Sequence, residues 1–397
     1  MKYIDMKYCR CCGSFNMEKY LDLGRQPLAN SYHKIDEELD TYPLSVNYCR
    51  ICFNSQLSVV IEPKEMFEEY LYVSGTTKTL SDHFDGLVED IESKFTKERL
   101  DVLEIACNDG TLMRKFKDKG HTVTGVDPAK NLAKYTEDLN VIVDFWTKEI
   151  SKKLVAYDVI VGCNVFAHVN EALEFLVIAE KNLKPYGFIV LEFPYFIDLF
   201  EKNEFDTVYH EHLSYFTVSA LAYLAMRADL TICDITKVDI HGGSLRVVLT
   251  RPMGGITDVT PSWFLYEECL HMYEEETYAK LQPQVDSVKE KLLDTLAGYE
   301  TVVGYGASAK GNTMMNYFNP NLRYIVDDNP LKHGYLTPGK NFEIHDPEIL
   351  STETGDLAVV ILSWNFYDEI REKIEKLRPN NNTFLISYVP DVMVEKV

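Results

Sequence analysis

Short apolar runs and amphipathic helical stretches alternate along this chain in two separate blocks. In the first, from Leu100 to about Thr250, the apolar runs are DVLEIA from Asp101, HTVTGVD from His121, DVIVGCN from Asp158, GFIVLEF from Gly187 and LRVVLT from Leu245. Strand-sized runs that alternate with helical periodicity predict a parallel, doubly wound sheet. A second block opens after Gly298, with TVVGYGAS from Thr301, RYIVDD from Arg323, LAVVILSW from Leu357 and TFLISYV from Thr383. Between the blocks, residues 262–298 are acidic and helical in pattern, interrupted at Pro283, and predict a long connecting helix or a helix pair. The first eighty or so residues carry little helical periodicity.

Length supports this division, since 397 residues exceed one ordinary core. The net charge of −22 repels nucleic-acid backbones and anionic membranes. The longest apolar runs, such as Val359–Leu362, fall far short of the ~18 residues a membrane helix needs. The N-terminal MKYIDMKYCR is charged and does not read as a signal peptide, so a cytoplasmic location is expected. There, nine cysteines should not form structural disulfides. Cys9-Arg10-Cys11-Cys12-Gly13 and Cys49-Arg50-Ile51-Cys52 instead offer two Cys-x-x-Cys turns. Each tight turn presents two thiolates to one tetrahedral ion, so Cys9, Cys12, Cys49 and Cys52 are assigned to a structural zinc, with Cys11 spare. Four unrelated buried thiols are the bland alternative. The expected fold class is therefore α/β, an N-terminal zinc-binding lobe (1–80) followed by two Rossmann-like doubly wound domains (81–260 and 299–397) joined by a helical connector (261–298).

LDVLEIACNDG reads as a strand, an acidic residue (Glu104), a small-residue turn and a helix start. Open parallel sheets bind ligands at such strand ends. Ala106 and Asn108 stand where a dinucleotide loop would have glycines, and only Gly110 remains. That disfavours close approach of a pyrophosphate, whereas S-adenosylmethionine carries none. Asp127, ending the next strand, would take ribose hydroxyls; Asn164 would face the methionyl part, and Asp144 with Phe145 would frame the adenine. A Rossmann-like domain that is empty or differently loaded is the competing reading.

Tyr209-His210-Glu211-His212-Leu213-Ser214-Tyr215-Phe216 gathers groups that are costly to bury unless paired and that suit general acid–base work. His168 and His241, each near a predicted strand end, could join them. The order His-Glu-His is not that of a zinc protease, and a hydrogen-bonded structural network is the alternative. In the second block, Gly304-Tyr305-Gly306-Ala307-Ser308-Ala309-Lys310-Gly311 follows a strand, with Asp327 further on. This fits a nicotinamide dinucleotide fingerprint. It equally suits the diphosphate of a nucleotide sugar, met by backbone N–H groups and by Gly306, Ser308, Lys310 and Asn312. Tyr70 and Tyr72, just after the cysteine-rich lobe, would close over such a site, though core packing explains them as well.

The stretches CRCCGS, LDLGRQPLANSY, YPLSVNYCRIC, EIACNDG, GVDPAKN, FAHV, LEFPY, FDTVYHEHLSYFT, HGGSLR and GYGASAKGN span nearly the whole chain in one order. In this order the chain resembles the deoxysugar C-methyltransferases that act on nucleotide-bound 4-keto sugars. The resemblance implies a zinc lobe, a central S-adenosylmethionine domain and a C-terminal domain that helps hold the sugar nucleotide, with carbon 3 as acceptor. It puts His212 at the position of the catalytic base and Tyr209, Glu211 and His168 on its supporting residues. A ketone acidifies the neighbouring carbon, so His212 would remove that hydrogen, oriented by Glu211 on its other ring nitrogen. Tyr209 or His168 would donate to the developing oxyanion, with His241 a third candidate that is as readily structural. The expected partner is a nucleotide-diphosphate-linked 4-keto sugar, with no nucleic acid and no membrane, and the chain is expected to act as a monomer. The rival functions are a nicotinamide-dependent oxidoreductase of nucleotide sugars and a sugar O-methyltransferase.

Overall fold

A computed structural model of the chain describes residues 3–34, 37–70, 73–76, 78–240, 242–379 and 382–397. The N-terminal lobe is built from β1 (Tyr3–Asp5), β2 (Met17–Gln26), β3 (Tyr42–Cys49), β4 (Ser55–Leu57) and β5 (Val59–Ile61). The strands β2, β3 and β4 pair in an antiparallel meander, and β1 pairs with β5. Alternate β3 residues Leu44, Val46 and Tyr48 are buried, as the two-residue strand period requires.

The central domain contains β6 (Asp101–Ile105), β7 (Thr122–Asp127), β8 (Val141–Val143), β9 (Tyr157–Cys163), β10 (Leu183–Pro194), β11 (Ser214–Tyr215), β12 (Thr231–Val238) and β13 (Ser244–Thr250). Seven of these form one sheet in the order β12-β13-β10-β9-β6-β7-β8. In β6 and β9, Leu103 and Ile160 face one apolar cluster while Val102, Val159 and Val161 face another. Burial on both faces is why these strands read as continuous apolar runs. The expectation of a wholly parallel sheet needs one correction: β13 runs antiparallel to both β10 and β12. The link between β12 and β13, residues 239–243, is much too short for a parallel crossover. β11 leaves this sheet altogether and pairs with β4 of the lobe, Ser214 opposite Gln56 and Tyr215 opposite Ser55.

The connector is three helices, Thr260–Cys269, Glu275–Tyr278 and Leu281–Leu296. Pro283 does not interrupt the last of them. It lies in the first turn, where a backbone N–H has no intrahelical acceptor to lose. The connector also carries the lobe's missing core: Tyr278 stacks on Tyr48 of β3 at 4.2 Å and on Phe196 at 5.9 Å, so lobe, connector and central domain share one apolar cluster.

The C-terminal domain has β14 (Val302–Tyr305), β15 (Ile325–Val326), β16 (Ile344–His345), β17 (Leu357–Ile361), β18 (Thr383–Ser387) and β19 (Met393–Lys396), in the order β16-β15-β14-β17-β18-β19. All pairs are parallel except β18 with β19. Among the described residues no helix is long and apolar enough to cross a membrane.

Candidate active site

The two Cys-x-x-Cys turns meet at the lobe's end. The Sγ atoms of Cys9, Cys12, Cys49 and Cys52 lie within 4.8 Å of one another, with Cys9–Cys52 and Cys12–Cys49 each at 3.5 Å. Gly13 and Phe53, each following the second cysteine of its pair, both take the left-handed backbone (φ 75° and 56°) that closes such a turn. Four converging sulfurs suit a closed tetrahedral ion, and Cys11 is not one of the four.

In the turn after β6, Ala106 (φ 60°) and Asn108 (φ 51°) adopt the backbone that glycine would take there, so the missing glycines change the side chains and not the path of the turn. Asp127 at the end of β7 stabilises it, accepting from Asn108 N at 2.8 Å and Ala129 N at 2.8 Å. Glu104 is buried and its Oε2 has no hydrogen-bond partner among the described residues. Burial, with Asp127 and Asp109 nearby, pushes its carboxyl well above the usual range. The indole Nε1 of Trp146 is likewise buried without a partner among the described residues. Both residues line one cavity of about 1000 Å³, as do Ala106, Asn108, Asp127, Phe145 and Asn164. A cationic amino-acid group for Glu104 and a ring-nitrogen acceptor for Trp146 are what S-adenosylmethionine offers, so the residues fit it. Gly110 and Asp144 do not line the cavity. Gly110 is the left-handed start of the helix Thr111–Asp118, where a Cβ would meet Leu139 at 2.4 Å, and Asp144 is exposed and accepts from Phe145 N.

The same cavity is lined by Tyr70, His168, Tyr209 and His212. His168 follows β9, and the other two histidine-loop residues are held between the short helix Phe205–Thr207 and β11. The His212 ring lies 4.0 Å from Tyr209 and 5.0 Å from His168, which also stacks on Phe67 of the lobe. Burial lowers His168 to about 4, leaving it neutral near pH 7. Glu211 does not orient His212. It accepts from Asn30 Nδ2 at 2.6 Å and from Tyr70 Oη at 3.0 Å, while His212 Nδ1 meets the Thr207 carbonyl at 2.7 Å. Side chains one position apart point in different directions in this tight turn, so neighbours in sequence take different partners. His210 turns away too, packing on Tyr42 and reaching the Pro43 carbonyl.

From the C-terminal domain, Gly306, Ser308 and Lys310 line the cavity. Ser308 caps the helix Ala309–Phe318 through Gly311 N, and Lys310 Nζ sits 3.9 Å from the ring centroid of Trp364. Asn312 is a correction: it is fully buried and donates to Ala29 O at 2.7 Å and Tyr32 Oη at 3.2 Å, fastening the lobe to this domain instead of lining the cavity. Asp327, the acidic partner of the dinucleotide fingerprint, already receives Asn329 N at 2.8 Å and Lys332 Nζ at 3.3 Å. Tyr72 and His241 lie outside the described residues. Asn30 and Tyr32 were not singled out from sequence, yet both line the cavity; they sit in a stretch without periodicity, and only the string LDLGRQPLANSY, as part of the family resemblance, touched them.

Three family profiles match in succession: a zinc binding domain over residues 9–67, a methyltransferase domain over 78–235 and a C-methyltransferase C-terminal domain over 239–390. The chain is 30% identical to C-methyltransferase NovU of Streptomyces niveus over 400 aligned positions, covering 95% of this chain and 94% of that protein. It is 24% identical over 115 positions to a ubiquinone biosynthesis O-methyltransferase of Rickettsia akari, covering 26% of this chain and 45% of that one. A crystal structure of an S-adenosylmethionine-dependent methyltransferase from Clostridium acetobutylicum aligns with 43% of this chain and 91% of its own, at 14% identity and a TM-score of 0.36.

Proposed function

The chain belongs to the S-adenosylmethionine-dependent C-methyltransferases with an N-terminal zinc lobe, and from that premise we propose that its acceptor is carbon 3 of a 4-keto deoxysugar carried on a nucleoside diphosphate, with His212 as base. The observation that carries this reading is the single cavity lined by Glu104, Asp127 and Asn164 of the donor turns, by Tyr209 and His212, and by Gly306, Ser308 and Lys310 of the C-terminal loop. Such a wall can face a methyl donor, a reacting carbon and a diphosphate at once.

When bound, S-adenosylmethionine supplies an electrophilic methyl group on a sulfonium. Glu104, Phe145, Trp146 and Asn164 would hold it. His212, with its proton on Nδ1, offers Nε2 to take the hydrogen from the carbon beside the ketone. The electron pair left behind delocalises onto the ketone oxygen, where Tyr209 or neutral His168 donates a hydrogen bond. Fixing these groups on one wall saves much of the orientational entropy of bringing them together. The phosphates would rest on the N-terminal turn of Ala309–Phe318 beside Lys310.

The test is a panel of 4-keto-6-deoxy nucleotide sugars with S-adenosylmethionine in deuterated buffer, read by NMR. Product methylated at carbon 3, with enzyme-dependent washout of the hydrogen there, supports the reading. Methylation at oxygen without washout would sink it.

A further inference from the structure

Among the contacts between the zinc lobe and the catalytic loop, one side chain has partners that the reaction itself does not explain. Arg10 stands between Cys9 and Cys11 and is buried. Its Nη1 donates to Leu57 O at 2.9 Å and to Leu213 O at 3.0 Å, its Nε to Asn170 Oδ1 at 3.0 Å, and its Nη2 to Val59 O at 3.4 Å. Leu213 directly follows His212, and Asn170 lies two residues after His168 on the cavity wall. The two segments are also joined to each other, Leu213 N donating to Ala167 O at 2.8 Å. One guanidinium therefore grips both histidine-bearing segments, and the same residue's backbone N is fixed by Gln56 Oε1 at 2.8 Å.

Every acceptor that this guanidinium meets among the described residues is a neutral carbonyl or amide oxygen. Burying a cation on such partners alone is costly. Four thiolates around a divalent ion leave negative charge in excess, a few bonds away along the same turn, and would offset that cost. A rigid planar fork is also the side chain best able to hold two carbonyls and an amide in fixed relation.

We infer that Arg10 is a positioning residue that couples the metal-closed turn to the placement of His212 and His168. It acts through Leu213 and Asn170 and touches no reacting atom. The inference rests on His212 being the base, but its test does not. In Arg10→Gln, zinc should stay at the wild-type stoichiometry, and the dissociation constant for S-adenosylmethionine should stay within about threefold, because the donor turns are not among its partners. The Leu213 amide should exchange with deuterium at least about tenfold faster, while β6 amides keep their protection. The imidazole NMR signal of His212, identified by its loss in His212→Asn, should shift, and turnover should fall through kcat more than through KM. Should Arg10→Gln fold poorly, Arg10→Lys keeps the charge without the fork and gives the same readouts. Unchanged Leu213 exchange together with an unmoved His212 signal in either variant overturns the coupling. A base that proves to be another residue would show instead as an active His212→Asn enzyme, a different result.

Discussion

The imidazole of His212 donates from Nδ1 to the carbonyl oxygen of Thr207, 2.7 Å away. A carbonyl only accepts, so this bond places the ring proton on Nδ1 and leaves the lone pair on Nε2. The partner is neutral, so it selects the tautomer without adding the electrostatic push a carboxylate would give.

His212→Asn should therefore fold, bind zinc and bind S-adenosylmethionine like the parent, while methyl transfer and deuterium washout fall by roughly 10²–10⁴, the usual contribution of a positioned base. Asparagine can still donate to Thr207 O, which keeps the loop intact and confines the change to the lost basic nitrogen. Parallel measurement of donor binding by calorimetry and of washout by NMR checks it; full washout in the variant rejects His212.

Glu211 gives a pH-dependent stability of definite sign. Burial pushes its carboxyl up to about 7, with the hydrogen bonds from Asn30 and Tyr70 only partly opposing this. In the unfolded chain a glutamate titrates near ~4.3, so between the two values the folded state binds the extra proton. Its contribution is fully present below the unfolded value and is lost as pH rises through about 7. Glu211→Gln mimics the protonated form and should remove that loss, worth on the order of 4 kcal/mol at most. Urea unfolding of both proteins at pH 5 and pH 8 checks it: the variant should gain on the parent at the higher pH, and an equal difference at both pH values contradicts it.

The apolar periodicity revealed the order of strands and the places where two sheets begin, because parallel strands buried on both faces leave an unmistakable pattern in β6, β9, β14 and β17. The convergence of Cys9, Cys12, Cys49 and Cys52 was equally legible, since a local turn decides which sulfurs meet. Partners set by tertiary approach were not. Nothing local in His-Glu-His says that Glu211 reaches Asn30 and Tyr70 while His212 reaches back to Thr207. Likewise Asn312 looked like a phosphate contact from its place near a helix start, but it faces the lobe, which covers that side of the helix. The reversed direction of β13 needed the short β12–β13 link to be recognised as a hairpin, and an apolar run alone carries no direction.

Cysteine substitutions separate the ligands from the spare thiol. Cys9, Cys12, Cys49 and Cys52 converge within 4.8 Å, and Cys11 does not belong to that group. Cys11→Ser should retain about one zinc per chain, whereas Cys49→Ser should lose most of it, as structural sites need all four ligands. Because the lobe shares its core with Tyr278 and Phe196, zinc loss should lower the thermal midpoint of the whole chain and not of a separate unit. Metal content by plasma spectrometry with one calorimetric scan of each variant decides it; full zinc in Cys49→Ser would refute the ligand set.

Gly306 is where the C-terminal loop tolerates no side chain. Its φ is 95°, and a Cβ would lie 2.2 Å from Ser363 Oγ and 2.7 Å from Ser363 Cβ. Two costs follow for Gly306→Ala: roughly 1–2 kcal/mol for a left-handed alanine, and about 1–3 kcal/mol for the overpacking. The loop must shift, and Ser308 and Lys310 shift with it. Sugar-nucleotide binding should weaken at least about tenfold with donor binding unchanged. Adding Ser363→Gly removes the collision but not the backbone strain, so the double variant should recover only the steric part of the loss, a non-additivity expected of two residues in contact. Complete recovery would mean that backbone conformation at Gly306 is immaterial, and no recovery would mean that Ser363 is not what the methyl group meets.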